Sequence, residues 1–81
     1  MNQTEDIARE DRDGHGRYVV RLDNGAEAEM TWVVRGPGVR EFNHTYVPDA
    51  YRGSGLASQL MERAIADARA EGFRIVPTCS Y

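Results

Sequence analysis

Lysine is absent from this chain: all ten of its Lys/Arg positions are arginine. That excludes a P-loop, which closes on Gly-Lys-Ser/Thr, and leaves the N-terminal amine as the sole primary amine. The single cysteine, Cys79, excludes an intramolecular disulfide and a zinc site built on cysteines, and no metal is expected. No apolar run approaches the ~20 residues of a membrane span, and no basic stretch followed by an apolar one opens the chain as a secretory leader would. The expectation is a protein without a membrane partner, placed in the cytoplasm. A basic stripe is also missing. The net charge is −3 and the pI about 5.3, which argues against nucleic acid as a partner and slightly favours cationic partners such as amines.

What is present is ordinary for a globular protein: 41% hydrophobic and 28% charged residues in a length of 81, enough for one domain with a thin core. Residues 1–81 read as that single domain, with the polar opening MNQTED (1–6) disordered. Ile7 to Glu10 suits a short edge strand, and DRDGHG (11–16) a turn that leaves His15 exposed. RYVVRL (17–22) alternates, with Tyr18, Val20 and Leu22 on one face. DNG (23–25) is a hairpin signal. AEAEMTWVV (26–34) alternates again, setting Ala28, Met30 and Trp32 against Glu27, Glu29 and Thr31. Trp32 reads as core, and the two glutamates as a wet sheet face. RGPG (35–38) turns the chain into VREFNHTYV (39–47). Strict alternation there puts Phe42, His44 and Tyr46 on one face and Glu41 on the other.

The period then changes. Leu56, Ala57, Leu60, Met61, Ala64, Ile65 and Ala68 form the stripe of an amphipathic helix from Ser54 to Glu71, with Gly72 placed to end it. FRIVPTCSY (73–81) is a final strand. A strand, a helix and a strand make a right-handed crossover, so the last strand should lie parallel to the 39–47 strand. The fold class is α+β: an antiparallel three- to four-stranded meander, one long amphipathic helix, and a final strand parallel to the third.

The turn VPDAYRGSG joins the 39–47 strand to the helix. Pro48 ends the strand because it cannot donate to a ladder. Gly53 and Gly55 permit positive φ and close approach of a ligand. The first N–H groups of the helix have no intrahelical partners, and the helix dipole turns its positive end toward them. Arg52 adds a fixed charge suited to phosphate. Two readings stand: a plain turn, or an anion site. A dinucleotide fingerprint does not fit, because Ser58 follows Gly53-Ser-Gly55 at the last glycine position and the chain has one crossover only.

RGSGLA (52–57) fits the Arg/Gln-x-x-Gly-x-Gly/Ala pattern of the GCN5-related N-acetyltransferases, after a strand and at the opening of a helix. HTYVPDAYRGSGLASQL with PTCSY one helix later resembles their small single-motif subfamily, and the order of elements matches over residues 17–81. The resemblance implies acetyl-CoA as cosubstrate. Its pyrophosphate would be held by Arg52, Gly53, Ser54, Gly55, Leu56 and Ala57, mainly through backbone N–H groups. Its pantetheine arm would pair with the strand at Tyr46 and Val47. The 39–47 strand and the last strand would splay at Pro48 and Pro77 to admit the thioester. Acetyl transfer to an amine needs a base and an acid or nucleophile. In the subfamily the residue matching Cys79 is the proposed catalytic one, as nucleophile or as acid to the leaving thiolate; a buried strand cysteine is the other reading. His44 has the titration range of a base or is a satisfied core histidine. The family usually continues past Cys-Ser-Tyr, so Tyr81 receives no role. The expected partners are acetyl-CoA and an amine acceptor, a small molecule or a protein, in a monomer or weak dimer. Two other functions stay open: a CoA-binding module without catalysis, and a small interaction domain whose last strand pairs with another chain.

Overall fold

The computed structural model describes residues 7–23 and 25–78. Strands β1 (Ala8–Arg12), β2 (His15–Arg21), β3 (Glu27–Gly36) and β4 (Val39–Tyr46) form an antiparallel meander. A 3-10 turn (Asp49–Tyr51) leads to helix α1 (Leu56–Glu71), and β5 (Arg74–Pro77) returns parallel to β4. The fold is α+β, as the change of period predicts, with four strands in the meander. The expectations placed on residues 1–6, on Cys79 and on Tyr81 lie outside the described residues.

Element boundaries shift where turn chemistry is more local than expected. The turn read over 11–16 shrinks to Asp13 and Gly14, because β1 and β2 pair out to Arg12 and His15. The helix opens at Leu56 instead of Ser54, because Gly53 (φ 84°) and Gly55 (φ 88°) hold left-handed conformations that a helix cannot include. Leu56, Leu60 and Ala64 are buried against the sheet, as the stripe predicts, but Ile65 at its edge is exposed.

The largest departure is in β4. Thr31 pairs with His44 and Trp32 with Phe42, so Asn43 is an extra residue, a β-bulge. The bulge reverses the alternation beyond it. Phe42 faces the helix, while His44 and Tyr46 pair with Thr31 and Glu29 and face the other way. The expectation that Phe42, His44 and Tyr46 share a face is therefore wrong. So is the separation of Glu41 from His44: Glu41 pairs with Val33, on the same open face. His44 is not a core histidine.

The core lies between α1 and the covered face of the sheet. Tyr18, Trp32 and Phe42 pack together in it, Tyr18 and Phe42 stacked and Trp32 tilted against both, with ring centroids 4.8, 5.6 and 6.3 Å apart. Gly16 makes room for them, since a Cβ there would stand 2.3 Å from Trp32 Cζ2. Where the helix no longer covers Trp32, the guanidinium groups of Arg9 and Arg40 lie 5.5 and 5.4 Å from its ring. The buried Tyr18 hydroxyl donates to Asp67 at 2.7 Å, which also accepts from Arg9 at 3.0 Å and Arg63 at 3.2 Å.

Candidate functional site

Helix α1 starts without a cap. Its N-cap is Gly55, which offers no side-chain acceptor, and its first turn carries no acidic residue. The first intrahelical bond is Gln59 N–H to Gly55 O at 3.0 Å. Among the described residues no acceptor meets the N–H groups of Gly53, Gly55, Leu56, Ala57 and Ser58. A helix start usually satisfies such donors with Ser, Thr, Asp or Asn, at ~1 kcal/mol each. Here the donors and the positive end of the dipole are left open together. Ser54 does not contribute to this opening, because its N–H and its hydroxyl both donate to Tyr51 O.

Arg52 stands at the rim. Its Nε is 3.2 Å from Asp49 Oδ1, an exposed pair, and 3.5 Å from Val47 O. Its two Nη groups meet no acceptor among the described residues, so the flat edge of the guanidinium is free for an anion. A hollow of about 310 Å³ lies here, walled by Val47, Tyr51, Arg52, Gly53, Gly55, Leu56, Ala57 and Ser58. Six of the eight expected cofactor-binding residues line it; Ser54 and Tyr46 do not.

A second hollow of about 200 Å³ adjoins it, sharing Ala57 and Ser58, and runs between the helix and the sheet to Met30, Phe42, Thr45, Met61 and Pro77. It lies where the β4–β5 ladder ends. The last register pair is Phe42 with Pro77, closed by Thr78 N–H to Phe42 O at 3.1 Å. Beyond that pair β4 continues through the bulge to Tyr46 with no described strand on its outer side. The expected splay of the two strands beyond Pro77 falls largely on residues 79–81, which lie outside the described residues. A larger hollow of about 470 Å³ on the open face of the sheet is lined by none of the expected cofactor-binding residues.

On that open face His44 Nε2 stands 3.5 Å from Glu29 Oε2. Sequence reasoning missed this partner, because it depends on the bulge. Glu29 Oε1 accepts from Arg17 Nη1 at 2.9 Å, and Arg17 is also held by Glu10 (2.7 Å) and Glu27 (3.1 Å). Glu41 accepts from Arg35 at 2.7 Å and from the Thr78 hydroxyl at 2.8 Å. These two bonds, Arg35 first, hold its carboxyl below the usual range, and the second ties the residue just after β5 to β4. His15 is exposed on the same face, beside Glu10 and Arg17 in the wall of the larger hollow, its Nδ1 3.2 Å from Asp13 O. Among the described residues no group of three or more His, Cys, Asp or Glu could hold a metal, and no helix is long and apolar enough to cross a membrane.

Comparison with known proteins agrees with the motif. The profile of the family described as GCN5-related N-acetyl-transferase matches residues 17–81. Protein NATD1 of Bos taurus is 37% identical over 67 residues, covering 80% of this chain and 58% of that protein. Protein NATD1 of Gallus gallus and of Homo sapiens are each 36% identical over 67 residues, 80% of this chain and 60% and 58% of theirs. The chain therefore spans about three fifths of the length of the curated relatives it matches. With the uncapped helix start and a profile match over most of its length, the chain belongs to the GCN5-related N-acetyl-transferase family.

Proposed function

We propose that this chain binds acetyl-CoA along the two adjoining hollows and transfers its acetyl group to an amine. The observation that carries the reading is the open helix start: several unsatisfied backbone donors, no acidic residue in the first turn, and the free edge of Arg52 around one hollow. These are the features a pyrophosphate needs. Acetyl-CoA supplies an activated acetyl thioester. The N–H groups of Gly53, Gly55, Leu56 and Ala57, with Arg52, hold the diphosphate. Tyr46 and Val47 offer the backbone of β4 to the pantetheine arm, and Met30, Phe42 and Met61 exclude water from the inner hollow. His44 takes the proton of the acceptor amine, and Cys79 acts at the thioester as nucleophile or as acid to the leaving thiolate.

Calorimetric titration with CoA, acetyl-CoA and dephospho-CoA tests the first half. Micromolar or tighter binding is expected. Arg52→Ala should weaken it roughly tenfold with no loss of stability, since the side chain is exposed. A folded chain that binds neither CoA nor acetyl-CoA removes the reading. For the second half, incubation with acetyl-CoA followed by intact-mass measurement looks for a hydroxylamine-sensitive adduct. No adduct, together with normal turnover by Cys79→Ala, would exclude the covalent role. Tight binding without acetylation of any amine would leave a CoA-binding module.

A further inference from the structure

The bulge at Asn43 gives His44 a setting that the cofactor hollows do not explain. Without the extra residue the imidazole would face the helix. With it, the imidazole stands on the open face, half exposed, on the part of β4 beyond the last β5 pair. Bulges are a common means of re-aiming a side chain near a site. Glu29 sits diagonally across the β3–β4 pair, opposite Tyr46, within reach of a long side chain. Its two carboxylate oxygens are divided: Oε1 accepts from Arg17 Nη1 at 2.9 Å, and Oε2 faces His44 Nε2 at 3.5 Å. Arg17 is in turn fixed by Glu10 and Glu27. Glu29 is therefore anchored from behind and turned toward one ring nitrogen of His44. The other nitrogen, Nδ1, meets no partner among the described residues.

We infer that Glu29 is the positioning residue for His44, and that the acceptor amine arrives on the face of the sheet opposite the helix, where Nδ1 is free to receive its proton. This rests on the acetyl-transfer reading above. A carboxylate facing Nε2 favours the tautomer that carries hydrogen there and leaves the Nδ1 lone pair for the substrate. The acceptor's ammonium form first loses one proton to solvent; its nitrogen then bonds the acetyl carbon while the thioester C–S bond breaks and the sulfur leaves as a thiolate, the second proton passes from nitrogen to Nδ1, and Glu29 faces the resulting imidazolium. The 3.5 Å spacing is longer than a good hydrogen bond; contacts of this kind tighten when substrate is bound.

Three variants separate this from a merely structural carboxylate: Glu29→Gln, Glu29→Asp and Glu27→Gln. Glu27 holds the same arginine but makes no contact with His44, so Glu27→Gln reports what the Arg17 cluster alone contributes. Two readouts apply to each. The first is imidazole nitrogen NMR, in which His15, the only other histidine, serves as internal reference. Glu29→Gln should change the His44 nitrogen shifts and leave those of His15 in place, while Glu27→Gln should move neither. The second is turnover on an amine acceptor beside CoA affinity. Glu29→Gln should lower kcat about tenfold or more at unchanged CoA affinity, and Glu29→Asp should recover part of it. His44 signals that ignore Glu29→Gln, or losses equal in Glu27→Gln and Glu29→Gln, would overturn the assignment of Glu29. Failure of the unaltered chain to bind CoA is a different result: it overturns the acetyl-transfer reading and the amine's approach with it.

Discussion

Gly16 is where one residue most constrains the core. It sits on the covered face of β2, against the indole of Trp32 and 2.8 Å, measured from an added Cβ, from Glu10 O. A methyl group there has no flexible neighbour to displace, so Gly16→Ala should cost ~1–3 kcal/mol as overpacking does. Urea unfolding should show it as a lower midpoint with an unchanged slope. Asp67 carries a prediction of another kind. Burial pushes its carboxyl up, but the Tyr18 hydroxyl, Arg63 and Arg9 outweigh this and hold it below the usual carboxylate range. A group whose folded value is depressed contributes stability above its unfolded value, and that contribution is lost as pH falls through the folded one. Asp67→Asn should therefore destabilise the protein at pH 7, and its deficit against the parent should shrink below about pH 4; urea midpoints at pH 7 and pH 3 decide it. Neither residue announces its role in the sequence. Gly16 reads as part of a turn, and Asp67 as one more polar residue on a helix, because what each does depends on a group about sixteen or fifty positions away.

Among the elements, α1 separates stability from function most cleanly. Its buried stripe was legible because i, i+3, i+4 spacing is a property of the chain alone. Leu60→Ala should cost ~2–5 kcal/mol, read from thermal or urea unfolding. At the uncapped start the expectation is different. Gly55→Asp adds a capping oxygen, worth ~0.5–2 kcal/mol, and a left-handed side chain, which costs ~1–2 kcal/mol. Stability should change little. CoA affinity should fall tenfold or more, because a carboxylate would occupy the site proposed for the diphosphate, and calorimetry on the same sample measures it. Strand β4 shows the limit of pattern reading. Alternation identified the strand and both its ends to within a residue, but one inserted residue, Asn43, reversed the facing of everything beyond it. Nothing in NHTY marks that insertion. It shows only against the partner strand, where Thr31 and Trp32 are consecutive and their partners are not.

For the whole molecule the small size governs the response to ligand. A chain of 81 residues has a thin core, and a domain of this length shifts its Tm by about 4–8 °C for each kcal/mol. Ligand at one hundred times its Kd stabilises the folded state by ~2.7 kcal/mol. Acetyl-CoA at that excess should raise the Tm by about 10–20 °C, and Arg52→Ala should need correspondingly more ligand for the same rise; a thermal scan against ligand concentration reads both. The sequence by itself determined the element order, the α+β class, the helix stripe and the glycine-rich helix start that identifies the family, because each rests on short-range geometry: periods of 2 and 3.6, and backbone freedom at fixed positions. The tertiary structure alone decided which face of β4 carries His44, that Glu29 meets it, and that two hollows share Ala57 and Ser58 in their walls. Those depend on register and on packing between segments distant in sequence, which no local pattern encodes.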